Sequence, residues 1–263
     1  MVSADVLRFV VTVYYWLVFT TSILVGLVVA SVLFVVSTPF DPNRQAMHWL
    51  IAHWGFQYIR VWPGWRVKVL HRERIPKTPC VIVANHQSMA DVISVLGLYA
   101  PYKFVSKAEL FRVPVLGWLM SMGRYVPVNR GKPHSMNRMI EECRRWLRSG
   151  VSVLIFPEGT YSGGKRMLPF KRGAFTLACE ENVPVVPVVL KGTPQLIFED
   201  GPWMNPRAEI SVEVLEPISS LPKGEEDALS AKTRAVLAAA LGLENQVEPA
   251  GASTEAAARE AGE

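Results

Sequence analysis

Cysteine and charge are both scarce in this chain. Its 263 residues include three cysteines, at positions 80, 143 and 179, too few and too scattered for a disulfide framework or a thiolate zinc site. The working domain is therefore expected on the reducing, cytoplasmic side. Charged residues make up 19% of the chain and apolar residues half of it, which excludes a disordered polyelectrolyte, a collagen-like chain and a coiled coil. No internal repeat and no nucleic-acid-binding motif is present. Between Phe9 and Phe40 there is not one charged side chain.

That uncharged stretch is crowded with Val, Leu, Ile, Phe, Tyr and Trp. As a helix, residues 9–36 would run roughly 42 Å, against a hydrocarbon core of about 30 Å. The sequence predicts a membrane helix, tilted or bent near Gly26. A cleaved signal peptide would have a shorter apolar run followed by a small-residue cleavage site. Residues 43–61 read as a second helix of mixed character. Trp49, Trp54, Trp62 and Trp65 are interleaved there with Arg60 and Arg66, a combination suited to a membrane–water interface, although a core helix with aromatic packing has the same look. His48, His53 and His71 lack metal-ligand spacing and are expected at the interface or surface. Arginines and lysines between Arg44 and Arg74 outnumber acids, so the positive-inside rule places the rest of the chain in the cytoplasm.

The net charge of +5 is uneven: residues 244–263 hold five acids and one arginine, a net −4, leaving +9 on the rest. A basic body behind an apolar N-terminus points to an anionic membrane surface. The expected organisation is N-terminal membrane-embedded and interfacial helices over 1–62, an α/β domain over 63–243 and a disordered acidic tail over 244–263.

Within the body, strands are expected at 65–71, 80–84, 103–105, 125–128, 151–156, 185–190 and 209–214. Helices are expected at 91–99, 107–122, 135–148, 170–182 and 225–241. Alternation of this kind predicts an α/β fold with a mostly parallel sheet flanked by helices.

Catalytic residue types cluster at the strand ends. The strand Cys80–Ala84 runs into Asn85-His86-Gln87-Ser88-Met89-Ala90-Asp91. Five helical steps would set His86 and Asp91 some 140° apart. The two therefore meet only if the histidine lies in the loop and the aspartate folds back from the first helical turn. Such a carboxylate fixes the imidazole tautomer and stabilises the imidazolium. Ser88 is either a nucleophile activated by His86 or a helix cap, and the absence of a G-x-S-x-G elbow favours the cap. After the strand ending at Phe156 come Pro157-Glu158-Gly159-Thr160-Tyr161-Ser162, then Lys171 and Arg172 at a helix mouth. Tyr125-Val126-Pro127-Val128-Asn129 leads to Arg130. Arg130, Lys171 and Arg172 suit a phosphate.

In order, NHQSMAD, YVPVNR, FPEGTYS and VPVVPV (183–188) resemble the four blocks of the glycerolipid acyltransferases, and most of all the 1-acyl-sn-glycerol-3-phosphate (lysophosphatidate) acyltransferases. The resemblance spans about residues 80–193 and implies His86 and Asp91 as the catalytic pair. It also implies Arg130 on the acceptor phosphate and Glu158, Gly159 and Thr160 shaping the acceptor site. Two positions depart from the family pattern: Asn129 stands where Asp is common, and Tyr161 stands where the third block has Arg. Phosphate recognition then leans on Arg130, Lys171 and Arg172.

The implied reaction needs no metal and no cofactor beyond an acyl-CoA or acyl carrier protein thioester as co-substrate. His86 takes the proton of the acceptor 2-hydroxyl as it attacks the thioester, and a backbone N–H near the helix start after Asn85 is expected to hold the oxyanion. The apolar run 111–122 is a candidate acyl groove. Acylation of another lysolipid (an acyl-amino-acid lipid or a lysophospholipid), or lipid binding without turnover, would use the same residues.

Overall fold

The computed structural model describes residues 4–129, 131–164, 166–197 and 202–243. Arg130 and the acidic tail from 244 lie outside the described residues.

The first helix, α1, runs Ala4–Ser37 without interruption. Among the described residues it is the one helix whose length and composition suffice to cross a membrane. One side is buried through Val11, Tyr15 and Ala30, while Val13, Leu17, Leu24, Val28, Val32 and Val35 are exposed. Helix α2, Gln45–Gln57, is shorter than the expected 43–61. The Asp41 carboxylate accepts the N–H groups of Gln45 at 2.9 Å and Ala46 at 2.8 Å, fixing the helix start as an N-terminal carboxylate does, and Arg44 before it is left-handed at φ 53°. α2 lies along α1, with Ser22 donating to the Tyr58 hydroxyl at 2.9 Å. His48 departs from its expected surface position. It is buried, with Nε2 2.7 Å from the Ala100 carbonyl and Nδ1 3.0 Å from the Tyr125 hydroxyl, and burial pushes its pKa down to about 4.

Seven strands come next: β1 (Trp65–Leu70), β2 (Val81–Ala84), β3 (Tyr102–Lys107), β4 (Val126–Val128), β5 (Ser152–Ile155), β6 (Val185–Lys191) and β7 (Ala208–Val214). They form one sheet in the order β1-β7-β6-β2-β5-β3-β4. Every pairing is parallel except β6 with β7. β2 and β5 are buried throughout, as central strands covered on both faces must be. Alternate residues of β2 feed two cores. Val81 and Val83 pack with α5 (Pro133–Arg148), α6 (Gly173–Glu181) and α7 (Glu226–Leu241). Ile82 and Ala84 pack with Leu98, Tyr102, Met120 and Tyr125 on the other face.

The helix expected over 107–122 is broken. A 3₁₀ turn covers Ala108–Arg112, and α4 is confined to Leu116–Met122. Pro114 accounts for the break: it forces the preceding Val113 into an extended conformation, φ −70° and ψ 123°. The helix Asp91–Ser94 (α3) likewise gives way to a 3₁₀ turn, Val95–Leu98.

Candidate active site

His86 stands in the loop after β2, and Asp91 opens α3. The chain folds back as the spacing requires: Nδ1 of His86 lies 2.7 Å from Oδ2 of Asp91. The carboxylate is fully buried and amply supplied with donors. Oδ2 also accepts the backbone N–H of Gln87 and, at 2.8 Å, that of Ser88, while Oδ1 accepts the Thr193 hydroxyl. A carboxylate so surrounded holds one orientation. Because Asp91 occupies Nδ1, Nε2 is the nitrogen left to meet a substrate proton.

The imidazole ring is held in place as well. Phe156 stacks on it with centroids 4.3 Å apart and planes at 18°, and Tyr161 meets it edge-on at 5.9 Å. The backbone of the loop is pinned on both sides. The His86 N–H donates to Oε1 of Glu158 at 2.7 Å, and its carbonyl accepts from the N–H of Ser162 at 2.9 Å and the Ser162 hydroxyl at 3.1 Å. Ser88 does not adjoin the imidazole through its hydroxyl; Oγ accepts the Ala90 N–H at 3.2 Å, as a turn cap does.

These bonds narrow the expected oxyanion site. The amides of His86, Gln87 and Ser88 are all committed to the carboxylates of Glu158 and Asp91, so the first three N–H groups after Asn85 have no proton to offer an oxyanion.

His86 opens onto a cavity of about 450 Å³ that Gly159, Thr160, Tyr161, Lys171 and Lys107 also line. Glu158 is buried just beneath, with Oε2 accepting the Leu168 N–H at 2.9 Å. Burial is the largest influence on its carboxyl and raises its pKa. Gly159 has φ +73°, and a Cβ there would sit 2.8 Å from Cε and Nζ of Lys171. The missing side chain is what lets the lysine lie across the loop. Arg172 takes a different course from its neighbour: its guanidinium pairs with Glu226 at 3.3 Å and Asp227 at 2.8 Å at the start of α7. Arg172 thus points to the acids of α7, and Lys171 is the cation of the two that lines the cavity. Arg130 lies outside the described residues.

A second cavity, about 290 Å³ and almost wholly apolar, extends between α1, α2 and α4. Met89, Val92, Phe104, Ser106 and Leu110 line both cavities, so the two adjoin along these residues. The apolar groove expected over 111–122 is present only in part: α4 supplies Leu116, Leu119 and Met120, whereas the rest comes from α1, α2 and the stretch between Met89 and Leu110, with Tyr58, Tyr125 and Ile197.

Sequence reasoning missed Lys107, Phe156 and Thr193. Lys107 closes β3 and was within reach of the rule that ligands gather at the carboxyl ends of parallel strands. Thr193 is brought in from 102 residues away and carries no local signal.

The acyltransferase family model matches residues 66–191. A chloroplastic 1-acyl-sn-glycerol-3-phosphate acyltransferase of Brassica napus is 38% identical over 201 residues, 74% of this chain and 58% of the relative. The human 1-acyl-sn-glycerol-3-phosphate acyltransferase beta is 32% identical over 71% of this chain and 69% of its own length. The chain thus spans little more than half the length of the plant protein. The crystal structure of the 1-acyl-sn-glycerophosphate acyltransferase PlsC of Thermotoga maritima shares the fold, with a TM-score of 0.72 at 23% identity over 94% of this chain and 99% of that one. The chain belongs to the acyltransferase family that includes the 1-acyl-sn-glycerol-3-phosphate acyltransferases.

Proposed function

We propose that this chain transfers a fatty acyl group from an acyl thioester to the 2-hydroxyl of 1-acyl-glycerol-3-phosphate, giving phosphatidic acid. One observation carries the reading: the His86–Asp91 pair sits where a cavity bearing lysines meets an apolar one. That junction suits a reaction between a phosphate-bearing alcohol and a fatty acyl chain.

His86 takes the hydroxyl proton at Nε2 as the oxygen attacks the thioester carbonyl, and Asp91 stabilises the imidazolium that forms. The alcohol is a poor nucleophile and needs a base. The departing thiolate, with a cysteine-like pKa of about 8.5, leaves without strong acid assistance. Lys107 and Lys171 supply positive charge to the acceptor phosphate, and Tyr161 supplies a hydroxyl in place of the family arginine. The acyl chain extends into the apolar cavity. Both acyl-CoA and acyl carrier protein present the same thioester.

The helices place this chemistry at lipid depth. α1 is fastened near its start, where Arg8 lies over the Trp203 ring at 5.5 Å and Trp16 donates to the Pro202 carbonyl at 2.9 Å, and it runs beside α2 through Ser22 and Tyr58. Its exposed apolar side enters the membrane. The excess of arginine and lysine over acids between Arg44 and Arg74 supports a cytoplasmic α/β domain.

The test is transfer of a labelled acyl group from acyl-CoA or acyl carrier protein to a panel of lysolipids in vesicles. Lysophosphatidate is the expected acceptor, and His86→Ala is expected to lower kcat by at least ~10², whereas Ser88→Ala retains turnover. Full activity in His86→Ala would remove the mechanism, and preference for a different lysolipid would replace the acceptor.

A further inference from the structure

We propose that Thr193 is a positioning residue for the acyl transfer: its hydroxyl, donated to Oδ1 of Asp91, sets the carboxylate plane so that Oδ2 meets the imidazole. This role rests on the assignment of His86 as the base.

The donors to Asp91 differ in origin. The three groups on Oδ2 (His86 Nδ1, Gln87 N and Ser88 N) belong to the same turn as Asp91, and all meet the same oxygen. They leave rotation about the Cβ–Cγ bond controlled from that oxygen alone. Thr193 reaches Oδ1 from the turn just beyond β6, so the carboxylate is held at both oxygens and tied to a second strand.

The approach of Thr193 is itself fixed. Asn85, just before the histidine, clamps Leu190 of β6 with both ends of its side-chain amide, donating to the carbonyl at 3.0 Å and accepting the N–H at 2.8 Å. Gly192 then turns the chain at φ +80°, where a Cβ would come 1.9 Å from the Glu209 carbonyl oxygen of β7. Glycine is required at that turn, and the next residue is delivered onto Asp91. Thr193 and Asp91 are both fully buried, so water does not substitute readily for the hydroxyl.

Thr193 lines neither cavity, so changes there leave untouched the groups that would face the substrate, Lys107 and Lys171.

A graded donor series tests this. With the full chain in vesicles, Thr193→Ser, which keeps the hydroxyl, should keep the wild-type kcat. Thr193→Val should lower kcat roughly tenfold, leaving KM for lysophosphatidate unchanged. Thr193→Cys, with a weak donor, should fall between. If Thr193→Val does not fold, the Ser and Cys variants decide. A kcat that does not follow donor strength across the foldable variants, even with a lowered melting temperature, would make Thr193 a packing residue and overturn the proposal. That failure differs from failure of the mechanism, which shows as retained activity in His86→Ala.

Discussion

The carboxylate of Glu158 lies between two backbone amides, accepting from His86 at 2.7 Å and from Leu168 at 2.9 Å. It therefore joins the loop after β2 to the segment after β5 and fixes the height of the imidazole against Phe156. The glutamate of the third block acts on the histidine's backbone, beneath the cavity floor.

Glu158→Gln should expose that role. A carboxamide has one acceptor oxygen, so one buried N–H would face an NH₂ group. An orphaned buried donor costs about 1–3 kcal/mol. The expected result is a lower melting temperature in detergent and a tenfold or greater loss of kcat, with KM for the acceptor little changed. A variant with raised KM and intact kcat would return Glu158 to the substrate.

Gly159→Ala isolates Lys171. The new methyl would lie 2.8 Å from Nζ and Cε of Lys171, at a residue with φ +73°, where a side chain adds roughly 1 kcal/mol of backbone strain. The lysine must leave its place across the loop. Acceptor KM is expected to rise about tenfold, and Lys171→Met should reproduce the rise without the strain. Unchanged KM in both variants would leave the phosphate to Lys107 and other groups.

These sites differ in how far the sequence announced them. The His86–Asp91 contact was legible because only one local geometry brings a pair at that spacing together. The sheet was legible because Val81–Ala84 and Ser152–Ile155 are too apolar for any place but the centre. Lys171 and Arg172 read alike as adjacent cations at a helix mouth, and only the acids of α7, more than fifty residues downstream, set them on different courses. His48 misled: its partners, Ala100 and Tyr125, arrive from distant segments. Thr193 shows the same limit. Local spacing reveals contacts within a turn, and long-range pairing decides the rest.

His48 supplies a pH prediction. Its pKa is pushed down to about 4 by burial, below the ordinary value of 6.5. Between those values the unfolded chain binds the proton and the folded chain does not. Stability is therefore complete above about pH 6.5 and declines as pH falls toward 4, by at most about 3 kcal/mol. Melting temperatures measured from pH 7 to 4 should show this slope. His48→Gln, which keeps hydrogen-bonding capacity but does not titrate there, should flatten it. An equal slope in the variant would assign the acid sensitivity elsewhere.

Ile51→Trp tests where the acyl chain lies. Ile51 projects from α2 into the apolar cavity and packs with the core around Tyr102, Phe104 and Met120. A cavity of about 290 Å³ has little room for an indole and a long alkyl chain together. Each methylene excluded from an apolar site reduces discrimination in its favour by roughly tenfold or more, so the penalty must grow with donor length. The ratio of kcat/KM for a sixteen-carbon donor to that for a ten-carbon donor should fall at least ~10-fold. Overpacking alone would cost about 1–3 kcal/mol of stability and slow both donors alike. A uniform loss would mean that the acyl chain runs along another surface, and the apolar cavity adjoining that of His86 would then serve the acceptor's own chain.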